Sequence, residues 1–140
     1  LKDMIHSCSQ KDELIELINS FSRDLVNKIY NYHSNILSDM AEDIIQYINE
    51  NFIHSITRDD IAKHVHASAS YVSTVFKKVT GQTLTQYINS VRIKEAKRLL
   101  DEGKYSRQEI AGMVGFNDYA YFSNIFKRYT GKSPSKWQKK

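Results

Sequence analysis

Two segments of the chain combine short polar side chains with a basic pair, at the three- and four-residue spacing that places them on one face of a helix. The short side chains are Ser70, Ser73 and Thr74 in the first segment and Ala120, Ser123 and Asn124 in the second. The basic pairs are Lys77 with Lys78 and Lys127 with Arg128. Hydroxyl and amide groups bond the edges of bases, and an Asn amide suits adenine. Lys and Arg reach phosphate oxygens. The pattern predicts base contacts from the first set and phosphate contacts from the basic pairs.

The same residue types also occur on ordinary solvated helix faces, so the charge distribution is needed to weigh the two interpretations. The 140 residues have a formal net charge of +4. Residues 1–57 hold 4 basic and 9 acidic side chains, whereas residues 58–140 hold 16 basic and 7 acidic ones. A region of this length with a net charge of +9 is typical of a protein that binds a polyanion such as DNA. A basic face that docks an acidic protein partner is the alternative.

Both segments lie within an internal repeat. Residues 61–65 match residues 110–114 at an offset of 49, and residues 71–81 match residues 121–131 at an offset of 50. The second copy therefore has one extra residue in its turn. Each copy reads as a short helix, a tight turn and a longer helix that ends in the basic pair and Thr-Gly, which is the layout of a helix-turn-helix.

Apolar residues recur at three and four positions through the whole chain, which predicts an all-α fold. We expect two helix-turn-helix subdomains, 39–82 and 104–140, joined by a long central helix over 83–101 and preceded by a helical segment over 1–38. From Asp39 onward this makes seven helices. The predicted N-caps are Asp39, Thr57, Ser68, Thr83, Ser106, Asn117 or Asp118, and Ser133. The predicted inward stripes of the two longer repeat helices are Val72, Val75, Phe76 and Val79, and Phe122, Ile125, Phe126 and Tyr129.

The stretch from Asp39 to Gln138 resembles the DNA-binding domain of the AraC family of bacterial transcription regulators. The resemblance is carried by five motifs: Phe76-Lys77-Lys78 with Thr80-Gly81, Arg92-Ile93 with Ala96 and Leu99-Leu100, Ile110-Ala111 with Val114-Gly115-Phe116, Tyr121-Phe122-Ser123 with Phe126-Lys127, and Gly131-Lys132-Ser133-Pro134. It implies a cytoplasmic, sequence-specific binder of double-stranded DNA, with two recognition helices in adjacent major grooves and RNA polymerase as a partner. By position, Ser70, Ser73 and Thr74 match the base-reading face of the first recognition helix, and Ala120, Ser123 and Asn124 match that of the second.

This sequence departs from the family pattern at Thr74 and Asn124, in the first turn, and at Trp137-Gln138, where the family usually has Tyr or Phe followed by Arg. Family members often carry Arg where Thr74 and Asn124 stand, so long-reach contacts to guanine are not expected here. His66-Ala67 fills the first turn, where a Gly is common, while Gly115 fits the second turn.

Residues 1–38 lie outside the resemblance and are acidic and helix-patterned. Because the chain starts at Leu1 without a Met, we expect a fragment of a longer protein with a sensor, receiver or dimerisation domain upstream. A stripe over residues 10–33 can pair with a second chain to form a homodimer, or pack on the DNA-binding domain. The stripe consists of Leu14, Ile18, Phe21, Leu25 and Ile29.

No arrangement of residues in the sequence indicates catalysis. The five histidines are scattered, and His64 and His66 do not share a helix face, so no metal site is expected. Cys8 is the one cysteine. There is no Ser/His/Asp arrangement or phosphate-binding Gly-rich loop. We therefore expect no enzyme activity, no cofactor and no contact with a membrane.

Overall fold

The computed structural model describes residues 2–137, and within that range every regular element is helical. The α-helices are α1 (Lys2–Asn51), α2 (Arg58–His64), α3 (Ala69–Thr80), α4 (Leu84–Glu102), α5 (Arg107–Met113) and α6 (Tyr119–Thr130), followed by a 3-10 turn at Pro134–Lys136. The all-α prediction with a long central helix is confirmed. None of the described helices is both long enough and apolar enough to cross a bilayer.

The predicted helix start at Asp39 is wrong, because Asp39 lies inside the continuous helix α1. No Gly or Pro interrupts the sequence around it, and Ser, Asn and Asp cost a helix interior only a fraction of a kcal/mol each. The chain divides into two compact units, residues 1–39 and residues 40–140. In the first unit the predicted stripe is on the surface of α1, with exposed fractions from 47% at Leu25 to 69% at Phe21.

The start of each shorter element follows from its local sequence. Thr57, Thr83 and Ser106 each accept a hydrogen bond from the backbone N–H three residues later, and the side chain at that position bonds back to the cap. These reciprocal capping boxes satisfy two backbone donors at each helix start. Ser68 caps α3 and Asp118 caps α6, so the predicted caps of all five helices after α1 are confirmed.

The second unit has two hydrophobic cores, and α4 contributes to both. The first core joins the end of α1 with α2, α3 and the start of α4 through Ile44, Ile48, Ile61, Ala62, Val72, Phe76 and Leu84. The second joins the rest of α4 with α5 and α6 through Ile93, Ala96, Leu99, Ile110, Ala111, Val114, Phe116, Phe122, Ile125 and Phe126. Helix α4 therefore packs against both helix-turn-helix subdomains, which are called the first and second subdomain below.

The two copies of the repeat also share tertiary contacts, both within the matching sequence and after it. Thr80 donates its hydroxyl to Phe76 O at 2.7 Å, and Thr130 donates to Phe126 O at 2.8 Å. An edge-to-face aromatic pair follows in each copy, Phe76 with Tyr87 at 5.6 Å and Phe126 with Trp137 at 5.5 Å between ring centres. Trp137 also donates to Asp101 Oδ1 at 3.0 Å, which attaches the last turn to the end of α4.

Candidate nucleic-acid interface

Helix α3 presents one buried and one exposed face. Val72, Val75 and Phe76 are buried in or beside the first core, and the pattern of burial places the predicted phosphate ligands Lys77 and Lys78 on the surface. Among the predicted base-contacting residues, Ser70 and Thr74 are exposed and Ser73 is half-buried. The exposed polar face of α3 therefore carries all five residues predicted for it.

Helix α6 repeats this pattern of burial position by position. Residues 71–80 and 121–130 have the same sequence of buried, half-buried and exposed side chains. Ala120, Asn124, Lys127 and Arg128 are exposed, and Ser123 is half-buried like Ser73.

The prediction that the last residue of each inward stripe is buried is wrong. Val79 and Tyr129 are each 41% exposed. Both stand three residues beyond the last buried residue of their helix, Phe76 or Phe126, and next to the helix end. Tyr129 instead donates its hydroxyl to Gln86 O at 2.9 Å, which attaches the end of α6 to α4. Burial raises the pKa of this hydroxyl, so it stays protonated and able to donate at neutral pH.

The polar groups of the two faces differ in what they can offer to a base. Ser73 donates to Ala69 O and Thr74 donates to Ser70 O, both at 3.0 Å. With the hydroxyl hydrogen used inside the helix, each oxygen presents its remaining lone pair outward as an acceptor. Within residues 2–137 the Asn124 amide has no hydrogen-bond partner, so its donor and its acceptor are both available. The second face is therefore the better fit to adenine.

Each recognition-type helix follows a tight turn in which one residue is left-handed. His66 has φ 56° in the first turn and Gly115 has φ 100° in the second. The residue after each one donates its N–H five residues back, Ala67 to Ala62 O at 3.0 Å and Phe116 to Ala111 O at 2.9 Å. The His in the first turn thus takes up the backbone conformation that Gly provides in the second.

A surface cleft of about 660 Å³ brings predicted residues of the first subdomain together. Ser73, Thr74, Lys77 and Lys78 line it, and so does Arg58, which the sequence reasoning missed. Arg107 holds the matching place at the start of α5, 49 residues later. The repeat itself could have indicated Arg58, because a basic residue opens the short helix in both copies. Arg128 lines a different cleft, of about 480 Å³, with Gly81, Gln82 and Gln86 of the first subdomain.

Comparison with known proteins identifies relatives for most of this unit. A family model described as "Helix-turn-helix domain" matches residues 61–140. The chain is 42% identical over 92 residues to the Msm operon regulatory protein of Streptococcus mutans, covering 66% of the chain and 33% of that protein. It is 34% identical over 119 residues to the melibiose operon regulatory protein of Escherichia coli K12, covering 82% of the chain and 39% of that protein. The chain thus spans well under half the length of these relatives.

Solved structures are similar over the same region. The C-terminal domain of AraT, a response regulator from Geobacillus stearothermophilus, matches with a TM-score of 0.67 and 30% identity, over 71% of this chain and 83% of that one. The DNA-binding domain of AdpA, solved in complex with a target DNA, matches with a TM-score of 0.64 and 25% identity, over 68% and 86% of the two chains.

Proposed function

This chain belongs to the AraC-type family of helix-turn-helix transcription regulators, and from that premise we propose that it binds double-stranded DNA sequence-specifically as the output domain of a bacterial regulator. Helices α3 and α6 are assigned to adjacent major grooves. The observation that carries the proposal is that two helices with the same pattern of exposure pack on the two halves of one connecting helix.

The length of α4 suits this arrangement. Its 19 residues extend about 28 Å at 1.5 Å per residue. Adjacent major grooves on one side of B-DNA are about 34 Å apart. A rod of this length with a turn at each end could place the two recognition helices near that spacing.

The proposed division of labour follows the chemistry of the two exposed faces. Ser70, Ser73 and Thr74 read bases in one groove, and Ala120, Ser123 and Asn124 read bases in the other, Ala120 through apolar contact with a thymine methyl group. Lys77, Lys78, Lys127 and Arg128 bind phosphates and set the position of the protein on the duplex. The family match covers a binding module, so we assign no catalytic role and no cofactor.

Binding-site selection tests the proposal. The full chain is incubated with random duplexes, the bound fraction is amplified, and the selected duplex is compared with a scrambled one by fluorescence anisotropy. Enrichment of a site with two separate conserved blocks is expected. An equal affinity for selected and scrambled duplexes would contradict sequence-specific binding, and no affinity for either would favour a basic face that docks a protein.

We also propose that residues 10–33 associate with a second copy of the chain. Five large apolar side chains of the stripe are about half exposed or more, which is unusual for a helix surface without a partner. Phe21→Lys, at the most exposed position of the stripe, should then give monomers in sedimentation-velocity runs of the full chain. The matched control is Ser20→Lys, which places the same charge one residue away, outside the stripe, and should leave a dimer. Monomeric unmodified protein at tens of micromolar would contradict the proposal.

RNA polymerase is the further partner that we propose, since two relatives are named as regulatory proteins of operons. This assigns the protein to the cytoplasm, where bacterial DNA and polymerase are found. Copurification of polymerase with the DNA-bound chain is expected, and its absence at saturating DNA would contradict the assignment.

A further inference from the structure

We propose that Arg92 fixes the second subdomain against the first, so that α3 and α6 are held at a set spacing before they meet DNA. The inference rests on the proposed function for its consequence, but its structural part stands on contacts within residues 40–140. The residues involved, Arg92, Phe52, His54, Gly115 and Phe116, are called the Arg92 junction below.

The guanidinium group of Arg92 binds the segment that follows α1. Nε donates to Phe52 O at 2.8 Å, and a terminal nitrogen donates to His54 O at 2.9 Å. Phe52 and His54 lie one and three residues beyond Asn51, the last residue of α1, so their carbonyls are not bonded within the helix. One planar group therefore bonds two carbonyls about 40 positions away in the chain from two different nitrogens, whereas an ammonium group would have to reach both carbonyls from a single nitrogen.

The other side of Arg92 contacts the turn of the second subdomain. Its Cζ lies 5.5 Å from the centre of the Phe116 ring, within the range of a cation–π contact. Burial lowers the pKa of Arg92, but the ordinary pKa of a guanidinium group is so high that the group stays charged at neutral pH. The side chain thus lies between the end of α1 and the α5–α6 turn, and contacts both.

Gly115 shows how close this approach is. A Cβ at that position would stand 2.6 Å from Phe52 O and 2.9 Å from Arg92 Nε. Gly115 is therefore needed twice, for its φ of 100° and for the space that its missing side chain leaves to the other subdomain. This explains why the second turn has a glycine where the first turn accepts His66.

The junction attaches the subdomains to each other in addition to the hydrogen bond from Tyr129 to Gln86 O. Helix α4 is the covalent connection between the subdomains. A connection through one helix alone would still let the subdomains rotate about the helix axis and let the helix bend. The Arg92 junction contacts both subdomains away from the helix axis and therefore opposes this rotation and this bending. A protein whose two recognition helices are already held at the spacing of the DNA grooves loses less conformational entropy when it binds. This is the advantage of preorganisation.

Pulsed dipolar electron paramagnetic resonance on the full chain tests the structural part without DNA. Spin labels are placed at Lys63 on α2 and Gln108 on α5, both exposed, after Cys8→Ser removes the native thiol. We expect a narrow distance distribution that broadens in Arg92→Lys, which keeps the charge but loses the fork. The matched control is Arg98→Lys on the same helix, where the exposed Arg98 pairs with Glu95 and Glu102, and it should leave the width unchanged.

Gly115→Ala is the second variant, because its methyl group would collide with Phe52 O and with Arg92 Nε and push the turn away from the junction, while residue 92 stays an arginine. Circular dichroism checks that each variant is folded, and if Arg92→Lys loses its helical signal, Gly115→Ala decides the question. An unchanged width in the folded variants would overturn the inference.

The functional part uses the selected duplex with base pairs inserted between its two blocks. For the unmodified chain we expect one or two inserted pairs to weaken binding sharply, whereas for Arg92→Lys the penalty of insertion should shrink by about threefold or more, since a looser linkage tolerates more spacings. Penalties of equal size would overturn the inference. If the unmodified chain bound no DNA at all, the proposed function would fail while the resonance result would still decide the role of Arg92.

Discussion

Replacement of Asn124 by Ala separates base reading from general affinity. Asn124 is exposed on α6, and its amide has no hydrogen-bond partner within residues 2–137, so its removal breaks no contact inside the protein. Ala has the higher helix propensity, so the variant should be at least as stable as the unmodified chain. Any loss of binding therefore reports on DNA alone.

The magnitude follows from the two hydrogen bonds that the amide can form with adenine. A bidentate pair contributes about 1–3 kcal/mol of discrimination. At 1.4 kcal/mol per factor of ten, this corresponds to a roughly 5- to 150-fold weaker Kd on the selected duplex. On a scrambled duplex the expected change is close to none, because the amide then meets no matching base edge.

Fluorescence anisotropy titrations of both duplexes, at one salt concentration, measure these values. Thermal melts should show an unchanged or slightly higher midpoint. Gln46→Ala is the matched control, since Gln46 is an amide on α1 that bonds only to the neighbouring turn at Glu50, and it should bind both duplexes like the unmodified chain. Equal losses on the two duplexes, or no loss on either, would refute the base-reading role of Asn124.

The other predictions concern phosphates, caps and pH. Lys77→Ala and Lys127→Ala should each weaken selected and scrambled duplexes alike and lower the salt slope by about one unit, which titrations at several salt concentrations would show. If about six phosphates are bound, affinity should fall roughly 10³-fold between 50 and 200 mM salt, and a flat response would contradict a phosphate-dominated interface. Asp118→Ala removes a cap that accepts two backbone N–H groups and should cost about 1 kcal/mol of unfolding free energy by urea titration; no change would mean that water replaces the cap. Hydrogen bonds from Thr57 lower the pKa of Asp60 in the folded chain, so they contribute fully to stability above the unfolded pKa and lose this contribution as the pH falls through the lower folded pKa. Asp60→Asn should therefore flatten the plot of unfolding free energy against pH in that acidic range. A plot parallel to that of the unmodified chain would contradict this.

The repeat and the caps made most of the second unit predictable from the sequence. A polar cap followed three residues later by an acid or amide gives the helix start directly, as at Thr57 and Ser106, because the two hydrogen bonds are local. The exposed faces of α3 and α6 followed from the apolar residues spaced three and four apart before Phe76 in α3 and before Phe126 in α6. Side chains one turn apart share a face, so the polar residues between them lie on the opposite face.

The misses have physical reasons of two kinds. Asp39 has the chemistry of an N-cap, but an N-cap forms only where a helix begins, and α1 runs through Asp39 without a break. Val79 and Tyr129 fit the apolar period, yet the period does not show how far along the helix its neighbour extends. The contacts of Arg92 are with residues 38 and 40 positions away, which no local pattern could reveal.

The two helix faces proposed to read bases share their pattern of exposure but not their side chains. Thr74 and Asn124 hold equivalent places in the repeat, and so do Ser70 and Ala120, yet each pair offers different groups to a base. With the proposed base contacts, a single chain would not read the same DNA equally well in both directions, as a twofold-symmetric protein reads a palindrome. The proposed site would have a head and a tail, and turning it around on a promoter would reverse which surface of the protein faces the transcription start.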